Sequence, residues 1–344
     1  MSGNVEVFLD EIPGETRGVI ARNGVYDHLL IHREGDVPQH RLGARCVGRI
    51  DRVDSGLKGA FVSLGGAAVG YLAIGRDQAL REGQKIAVQV TAEPRESKAA
   101  ALRLIGPGEG EPRLVEAGPG IAAILARLAP GVEPETGLPA LRASLEAEDE
   151  ARSGRFNAPS VGLDLAVQRT RALIAVDIDH AAASGADPKK GRRQANLAGL
   201  RESARLIRLK RWGGLVAIDL VGMSHDAAAM TEAARSAFGD DPEIVFGPIN
   251  RFGVMMLSLP WRSTPIEEVL GGPDGQPTAR SRALDAVRRL KIAMLSDTAT
   301  PRFVVRCVPD EAALAGPLVA RLGPRAHITI DPGATPGHGR IEEG

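Results

Sequence analysis

The hydrophobic and polar positions of the chain follow different periods in different regions. Near the N-terminus, the strand-like runs TRGVIA and VYDHLLI are separated by Asn23-Gly24, a dipeptide typical of a two-residue hairpin turn. Residues 41–105 continue as short strands with frequent glycine, and GPGEGEP at 106–112 has the composition of a linker. Helical periodicity follows in GIAAILARLA at 120–129 and in LPALRASLEAEDEARS at 138–153. This stretch of the chain is therefore predicted to be β-structure followed by two helices.

From residue 161 onward the pattern alternates between strands and helices. LIAV and LVAI are short continuous apolar runs, typical of strands that are buried on both faces. Residues 195–211 lie between them and carry an apolar stripe at helical spacing, and Gly213-Gly214 is expected to cap this helix. A strand, a crossover helix and a second strand favour a parallel pair. Beyond the Gly/Pro-rich break at 271–277, the tail reads helix, strand, helix, strand, which indicates a small α/β domain.

Carboxylates follow both apolar runs. Asp177 comes directly after LIAV, Asp179 follows two residues later, and Asp219 comes directly after LVAI. Because open α/β sheets bind ligands at the carboxyl ends of their strands, Asp177 and Asp219 are expected to converge at such an edge. Two converging carboxylates repel each other unless a cation lies between them, and Mg²⁺ prefers carboxylate and water oxygens. The pattern therefore predicts a Mg²⁺ site; the competing interpretation is that these aspartates only cap loops.

Basic residues surround this candidate site in the sequence. They form a cluster before the predicted helix and a row along it, and both are candidates to hold a phosphate backbone. The residues are Lys189, Lys190, Arg192 and Arg193 in the cluster and Arg201, Arg205 and Arg208 in the row.

Two aromatic residues in the glycine-rich region fall on the side of their strands away from the aliphatic residues. In FVSL, Val62 and Leu64 share one face, so Phe61 lies on the other; in YLAI, Tyr71 lies opposite Leu72. Only 11 of the 344 residues are aromatic, so a position outside the core needs an explanation. One explanation is that the rings stack on nucleic-acid bases, and the other is that they pack under a neighbouring domain.

The length and composition of the chain limit the classes of protein and of site that it can contain. A chain of 344 residues suggests two or more domains, and 43% hydrophobic with 25% charged residues is ordinary for a globular protein. The net charge of zero gives no overall basic character. Only two cysteines occur, Cys46 and Cys307, so a disulfide framework and a cysteine zinc site are not expected. Without a leader-like N-terminus or an apolar run of membrane-spanning length, we expect a soluble, cytoplasmic protein.

Two regions resemble a known family. Residues 44–90 resemble an S1-type RNA-binding barrel, a version of the OB-fold, through Gly48, GAFVSLG, Gly70-Tyr71 and EGQ. RALIAVDIDH, Asn196-Leu197, ARLIRLKRWGGLVAIDLVGM and INRFG are similar, in order and spacing, to the catalytic domain of the ribonuclease E/G family of bacterial endoribonucleases.

The resemblance implies roles for individual residues. Asp177 and Asp219 match the aspartates that hold the catalytic Mg²⁺. Asp179 stands where the family has asparagine, so it is either a third catalytic carboxylate that adds a metal ligand or a change that weakens the water-positioning role of the amide. Phe61, Tyr71 and Lys98 match the barrel residues that contact RNA, with tyrosine in place of the family's second phenylalanine. Mn²⁺ is a candidate substitute for Mg²⁺, and no zinc is expected.

The resemblance also implies an α/β multidomain fold. An S1-type OB-fold barrel is inserted in a split ribonuclease H-like domain, and a catalytic α/β domain and a small C-terminal α/β domain follow. The implied divisions are 1–40 (first segment of the ribonuclease H-like domain), 41–105 (barrel), 106–152 (linker and second segment of the ribonuclease H-like domain), 153–270 (catalytic α/β domain) and 278–344 (small α/β domain). The family's inserted 5′-sensor domain and zinc-binding cysteine pair have no counterpart in the sequence, so a minimal member is expected.

The expected activity is Mg²⁺-dependent cleavage of single-stranded RNA inside the chain, leaving 5′-phosphate and 3′-hydroxyl ends, in RNA processing or decay. The alternative is a non-catalytic RNA-binding protein on the same scaffold, which the change of asparagine to Asp179 permits. A DNA nuclease is a third interpretation, which the barrel disfavours. A homo-oligomer is left open, although not one bridged by zinc, and no membrane partner is expected.

Overall fold

The computed structural model describes residues 4–75, 79–181, 187–222, 226–272 and 274–343. The chain divides into two compact units, each assembled from separate stretches of sequence. The first consists of Met1–Val25, Leu29–Ala147 and Ser263–Gly344, and the second of Tyr26–His28 and Glu148–Arg262. The more detailed division into five domains remains a prediction.

The chain begins with a three-stranded meander. Its strands, in sheet order, are β1 (Val5–Ile12), β2 (Glu15–Arg22) and β3 (Val25–Arg33). Asn23 and Gly24 connect β2 to β3 with φ values of 54° and 78°. Positive φ at both central residues is the geometry that matches the twist of a hairpin, so the predicted Asn-Gly turn is confirmed. The sheet contains one strand more than the predicted hairpin.

A closed five-stranded barrel follows. Its strands are β4 (Arg45–Asp54), β5 (Gly59–Gly65), β6 (Ala68–Ala73), β7 (Lys85–Ala92) and β8 (Ala100–Pro107). They pair in the order β4-β5-β6-β8-β7, and β4 closes the ring by pairing with β5 as well as with β7. The pairing of β6 with β8 is parallel and the others are antiparallel. This topology is that of an OB-type barrel.

The segment that follows the predicted linker contributes to the barrel sheet. A sixth strand, β9 (Arg113–Glu116), pairs antiparallel with β4. Two helices come next, α1 (Ile121–Leu128) and α2 (Leu138–Arg152), and both agree with the helical periodicity of the sequence. Ile121 and Leu125 of α1 are buried against Val7 and Ile20 of the meander, so the apolar stripe of the helix covers that sheet.

The second unit is built on a six-stranded mixed sheet. Its elements in chain order are β10 (Arg155–Ala158), β11 (Leu163–Arg169), β12 (Ile174–His180), α3 (Pro188–Leu209), β13 (Gly214–Asp219), α4 (Ala227–Phe238), β14 (Val245–Ile249) and β15 (Val254–Leu259). The strands pair in the order β10-β11-β12-β13-β15-β14. Only β12 and β13 are parallel, as expected for two strands joined by a crossover helix.

The long helix α3 differs from its prediction at both ends. It begins seven residues earlier than expected, with Pro188 in the first turn and with the Asp187 side chain accepting a hydrogen bond from the backbone N–H of Lys189. This Asp-Pro start is a recognised N-cap arrangement. At the other end Lys210 is the C-cap and Arg211 follows it with a φ of 61°, whereas Gly214, with a φ of 96°, is already the first residue of β13. The predicted glycine cap is therefore wrong.

The C-terminal segment of the chain returns to the first unit. It consists of α5 (Ile266–Leu270), α6 (Ala279–Ser296), β16 (Phe303–Cys307), α7 (Pro309–Ala320), β17 (Ala326–Ile330) and β18 (Arg340–Glu343). The predicted helix, strand, helix, strand order is confirmed, and β18 is added antiparallel to β16. Ile12 and Leu141 join the core formed by α6, α7 and β16, so segments far apart in sequence share one core.

A network of buried charges also joins these segments. Glu15 accepts hydrogen bonds from Arg17 at 2.6 Å, Arg33 at 2.6 Å and Arg288 at 2.8 Å. Arg288 also donates to Asp10 at 2.6 Å. All five side chains are almost fully buried. Burial alone would raise the pKa of Glu15, but the three guanidinium groups hold it well below its ordinary value.

The helices offer no membrane span. Among those in the described ranges, none combines the length and the apolar composition that crossing a bilayer requires.

Candidate functional site

Asp177 and Asp219 lie side by side on neighbouring strands. Parallel pairing places Asp177 of β12 directly opposite Asp219, the last residue of β13. Their flanking residues Val176, Ile178 and Ile218 are buried, whereas both aspartates are exposed. Because successive side chains of a strand point to opposite faces, both carboxylates lie on the face away from the core. The structure thus brings together the two residues that the sequence singled out.

The strands that carry these aspartates are buried on one face only, not on both as the continuous apolar runs indicated. Ile174, Val176, Val216 and Ile218 form the buried face, packed with α3 residues such as Leu200 in the core of the second unit. On the other face Ala175 and Ala217 are half-buried and Leu215 is exposed. Short alanine side chains made this face look apolar in the sequence, although it is open enough to hold carboxylates.

Two further carboxylates share this face. Asp179 lies two residues beyond Asp177, and it pairs in register with Asp164 of the antiparallel strand β11. Asp164 is exposed, between the buried residues Leu163 and Leu165. Asp164 was not among the candidates from the sequence, because its place beside Asp179 depends on the register of β11. The alternation in GLDLAV was the one available signal.

These carboxylates act on one another electrostatically. The pKa of Asp177 is raised above its ordinary value by partial burial and by the neighbouring charges of Asp219, Asp179 and Asp164. A divalent cation would relieve this repulsion, and oxygen donors that share coordination with water suit Mg²⁺. The donor set of Asp177 and Asp219 therefore fits a hard divalent ion.

Asp179 has a hydrogen bond to the neighbouring backbone. One of its carboxylate oxygens accepts a hydrogen bond from the backbone N–H of His180 at 2.7 Å. Within the described ranges, no three His, Cys, Asp or Glu side chains are gathered closely enough to enclose a metal ion. Asp177 and Asp219 are the two carboxylates that strand pairing places directly opposite each other, and Asp179 lies beside them.

A buried asparagine fixes the loop that follows Asp219. The side chain of Asn196, on α3, accepts a hydrogen bond from the N–H of Val221 at 2.9 Å and donates to the Val221 carbonyl at 3.2 Å. Asn196 is 2% exposed, so these bonds are formed away from water. Through this two-point contact the helix determines the path of the chain two residues beyond Asp219.

The basic cluster and the basic row have different surroundings. The cluster residues of the first α3 turns are exposed, and the Arg192 side chain lies beside Gly222, where a Cβ atom would come within 3.2 Å of it. In the row, however, Arg205 is buried and bonded to Glu150 and Glu202, and Arg208 is bonded to Asp27. The expectation that the row holds a phosphate backbone is therefore wrong for Arg205 and Arg208, whose guanidinium groups are already paired.

The barrel aromatics lie outside the barrel core. Val62, Leu64 and Leu72 are buried, as the alternation predicted, whereas Phe61 and Tyr71 are half-buried on the other face. Their rings meet edge to face, with centroids 5.7 Å apart and planes at 65°.

Two cationic side chains belong to this region. Arg52 contacts one of the rings, and Lys98 comes later in the sequence. The Arg52 guanidinium lies over the Phe61 ring, 4.7 Å from its centroid. Lys98 is exposed in the turn before β8, and its backbone is hydrogen-bonded to Arg95. The Lys98 turn leads into Ala101, which pairs in register with Tyr71. Exposed cations beside aromatic faces suit a nucleic-acid strand.

The segment of the chain that carries this geometry matches a known protein family. The sequence model of the Ribonuclease E/G family matches residues 144–259, a range that contains Asp177, Asp219 and most of the second unit. This segment of the chain is therefore similar to the ribonuclease E/G family, and the resemblance predicted from the sequence is confirmed there.

Individual proteins of this family are also similar to the chain. The chain is 36% identical over 104 residues to Ribonuclease E of Buchnera aphidicola from Acyrthosiphon pisum and 34% identical over 104 residues to Ribonuclease E of Escherichia coli K12. Each alignment covers 29% of this chain, but only 11% and 10%, respectively, of the two relatives. The likeness therefore belongs to one segment, and for the barrel the structure shows an OB-like topology, which fits the predicted S1-type domain.

Proposed function

We propose that this protein is a member of the ribonuclease E/G family and an endoribonuclease that cleaves single-stranded RNA, in RNA processing or decay, and that it requires Mg²⁺. The observation that supports this most strongly is the register pairing of Asp177 with Asp219 inside the matched segment. A protein that only bound RNA would gain nothing from concentrating negative charge where a phosphate must approach. The products are proposed to carry 5′-phosphate and 3′-hydroxyl ends.

The proposed reaction is hydrolysis of a phosphodiester. A water oxygen forms a bond to phosphorus, the bond from phosphorus to the 3′ oxygen breaks, and that oxygen leaves with a proton as a hydroxyl group. The phosphate stays on the 5′ end of the downstream product. Mg²⁺ held by Asp177 and Asp219 would supply positive charge against the phosphate and favour ionisation of the water. Exposed Arg192, beside the loop after Asp219, is suited to hold a neighbouring phosphate.

The barrel is proposed to hold the RNA strand. Phe61 and Tyr71 offer ring faces to bases, while Lys98 and Arg52 supply charge for phosphates. A cytoplasmic location is included in the proposal, since both cysteines are free buried thiols, which suits a reducing compartment.

The decisive experiment is cleavage of an end-labelled, A/U-rich single-stranded RNA with Mg²⁺, with Mn²⁺ and with a chelator. Asp177→Asn and Asp219→Asn should each abolish cleavage, because each removes a charged ligand without opening a cavity. A ligase that accepts only 5′-phosphate ends will identify the product ends. Full activity in either variant would falsify the proposal.

Asp164→Asn is the matched control, because it removes a carboxylate from the same face and leaves both residues of the proposed pair in place. It should keep measurable activity. Asp179→Asn introduces the residue that the family resemblance leads us to expect, and it should retain or raise activity. If the wild-type chain binds the RNA and never cuts it, the alternative of a non-catalytic RNA-binding protein replaces the proposal.

A further inference from the structure

One phenylalanine stands out from the rest by its exposure. Of the seven in the chain, Phe252 is the exposed one; the other six are buried or half-buried. Phe252 is 66% exposed, which leaves most of its ring in water. It lies between β14 and β15 in the second unit.

The turn that carries Phe252 is firmly held. The Asn250 side-chain oxygen accepts hydrogen bonds from the backbone N–H groups of Phe252 at 2.9 Å and of Val254 at 3.1 Å. The backbone groups of Asn250 also bond to Val254 and Gly253, each at 3.0 Å. The exposed ring is therefore mounted on a backbone with little freedom, so that a ligand which stacks on it does not have to order the turn.

This turn lies next to the paired aspartates. Val254, two residues after Phe252, is the register partner of Asp219 on the neighbouring strand. Beyond Asp219, the N–H of Leu220 points to the carbonyl of Gly253 at 3.4 Å. The turn of residues 250–253 therefore borders the carboxylate face at the end of β13.

A cation accompanies the ring. The Arg251 guanidinium lies 4.8 Å from the centroid of the Phe252 ring. Arg251 is itself exposed. An exposed aromatic ring suits a nucleobase, and an adjacent guanidinium suits the phosphate of the same strand. Together the two side chains complement both the base and the phosphate of a nucleotide.

We propose that Phe252 stacks on one base of a bound single-stranded RNA, next to the phosphate that is cut, with Arg251 contacting the adjacent backbone. The inference rests on the proposed function and adds to it a nucleotide-binding position beside the carboxylates, separate from the barrel. Scattered exposed apolar residues are normal on protein surfaces. Phe252 differs from them because it is aromatic, rigidly mounted, paired with a cation and adjacent to Asp219.

Val245 provides the matched control. It is 64% exposed and lies on β14 of the same hairpin, so it shares the exposure of Phe252 without an aromatic ring. Binding of a fluorescein-labelled A/U-rich RNA of about a dozen nucleotides is measured in chelator, where no cleavage is expected. Phe252→Ala should bind about 5- to 150-fold more weakly, the range that corresponds to the ~1–3 kcal/mol of one stacked base. Phe252→Trp should bind nearly as wild type, and Val245→Ala should be unchanged.

A second measurement locates the contact. A series of RNAs, each lacking the base at one position, is bound to wild type and to Phe252→Ala. One abasic position should weaken the binding of the wild type and have no further effect on Phe252→Ala, because the same stacking interaction is already lost.

The outcomes separate this inference from the proposed function. Weaker binding by Phe252→Ala in a chain that never cleaves RNA supports the stacking contact and overturns the nuclease. Cleavage by the wild type, with equal binding by Phe252→Ala throughout the abasic series, overturns the stacking contact alone. A lower melting temperature of Phe252→Ala with unchanged RNA affinity would show that the ring only supports the fold. No RNA binding by the wild type overturns both.

Discussion

At the scale of single residues, Asp177 shows that a cluster of like charges can oppose stability. Partial burial and the neighbouring charges of Asp219, Asp179 and Asp164 raise the pKa of its carboxyl group above the ordinary value. An acid whose pKa is raised by folding binds protons more tightly in the folded state. The folded protein therefore carries an unfavourable contribution at high pH, which disappears as the pH falls through that pKa.

The first prediction is that Asp177→Asn raises the thermal unfolding midpoint of the metal-free protein at neutral pH. Removing the charge relieves repulsion from three neighbouring carboxylates. Thermal melts in chelator, at neutral pH and below the ordinary carboxylate range, should show a difference between variant and wild type that vanishes at low pH, where Asp177 is neutral in both. Added Mg²⁺ should stabilise the wild type and not the variant. A variant that is less stable at every pH would contradict this account.

The individual site residues differ in how well the sequence could identify them. Asp177 and Asp219 could be identified because each follows an apolar run and a crossover helix makes those runs parallel neighbours. Asp164 could not, since antiparallel register across β11 is not encoded locally. Arg205 and Arg208 were misjudged because helical spacing shows which residues share a face, but not whether acidic partners from elsewhere already occupy them.

At the scale of elements, the position of Tyr71 on the barrel surface depends on a glycine in the neighbouring strand. A Cβ atom at Gly59 of β5 would lie 2.2 Å from the hydroxyl oxygen of Tyr71 and 2.3 Å from its ring. No side chain fits there while the ring keeps its place, so Gly59 creates the room in which Tyr71 lies against β5. The Tyr71 hydroxyl also donates a hydrogen bond to the Leu57 carbonyl at 2.7 Å, which fixes the ring direction.

We therefore expect Gly59→Ala to weaken RNA binding about as much as Tyr71→Ala, although it removes no group that contacts RNA. Phe61→Ala should also weaken binding, each loss being on the order of 1–3 kcal/mol for one stacked base. RNA titrations combined with melting curves will check this. Val69→Ala is the control, since Val69 is an exposed residue of the same sheet. Unchanged affinity of Phe61→Ala and Tyr71→Ala, with a large loss of stability, would show that these rings serve packing.

The elements themselves were predictable where the signal is local. The Asn23-Gly24 turn, α1 and α2 all follow from dipeptide chemistry or from periodicity within one window. Local signals failed at the start of α3. Its first turns are rich in lysine and arginine and carry no apolar stripe, so the helix that begins with Asp187 and Pro188 was not predicted there. They also failed for β9, since a short, half-exposed strand is defined by its pairing with β4 and not by its own composition.

At the scale of the whole molecule, the first unit is held together by charges that come from distant regions of the sequence. Asp10, Glu15 and Arg33 lie near the N-terminus, whereas Arg288 comes from α6. Breaking a buried pair by removing one partner typically costs ~3–5 kcal/mol, because the remaining charge is left without compensation. The network is therefore a position at which a single substitution should affect the unit as a whole.

The corresponding prediction is that Glu15→Gln destabilises the protein by about 3–5 kcal/mol in denaturant unfolding. Because the pKa of Glu15 is depressed, its stabilising contribution is present at neutral pH and is lost only as the pH falls through the depressed value. The difference from wild type should thus persist in mildly acidic buffer. Glu34→Gln is the control: Glu34 forms an exposed pair with Arg321, and exposed pairs contribute little. Equal stability of Glu15→Gln and wild type would show that the network is dispensable.

The sharing of one core between both ends of the chain also matters for biosynthesis. A ribosome releases the N-terminal meander first, yet Arg288, the guanidinium bonded to both Asp10 and Glu15, comes from α6 near the other end of the chain. Until α6 is made, these two carboxylates lack that shared partner, so the meander cannot reach its final packing, however well its Asn-Gly turn forms. The second unit, which apart from Tyr26–His28 comes from the continuous stretch Glu148–Arg262, is released in full before α6. All strands of its sheet, with the carboxylate face, therefore leave the ribosome while the first unit still lacks α6 and α7.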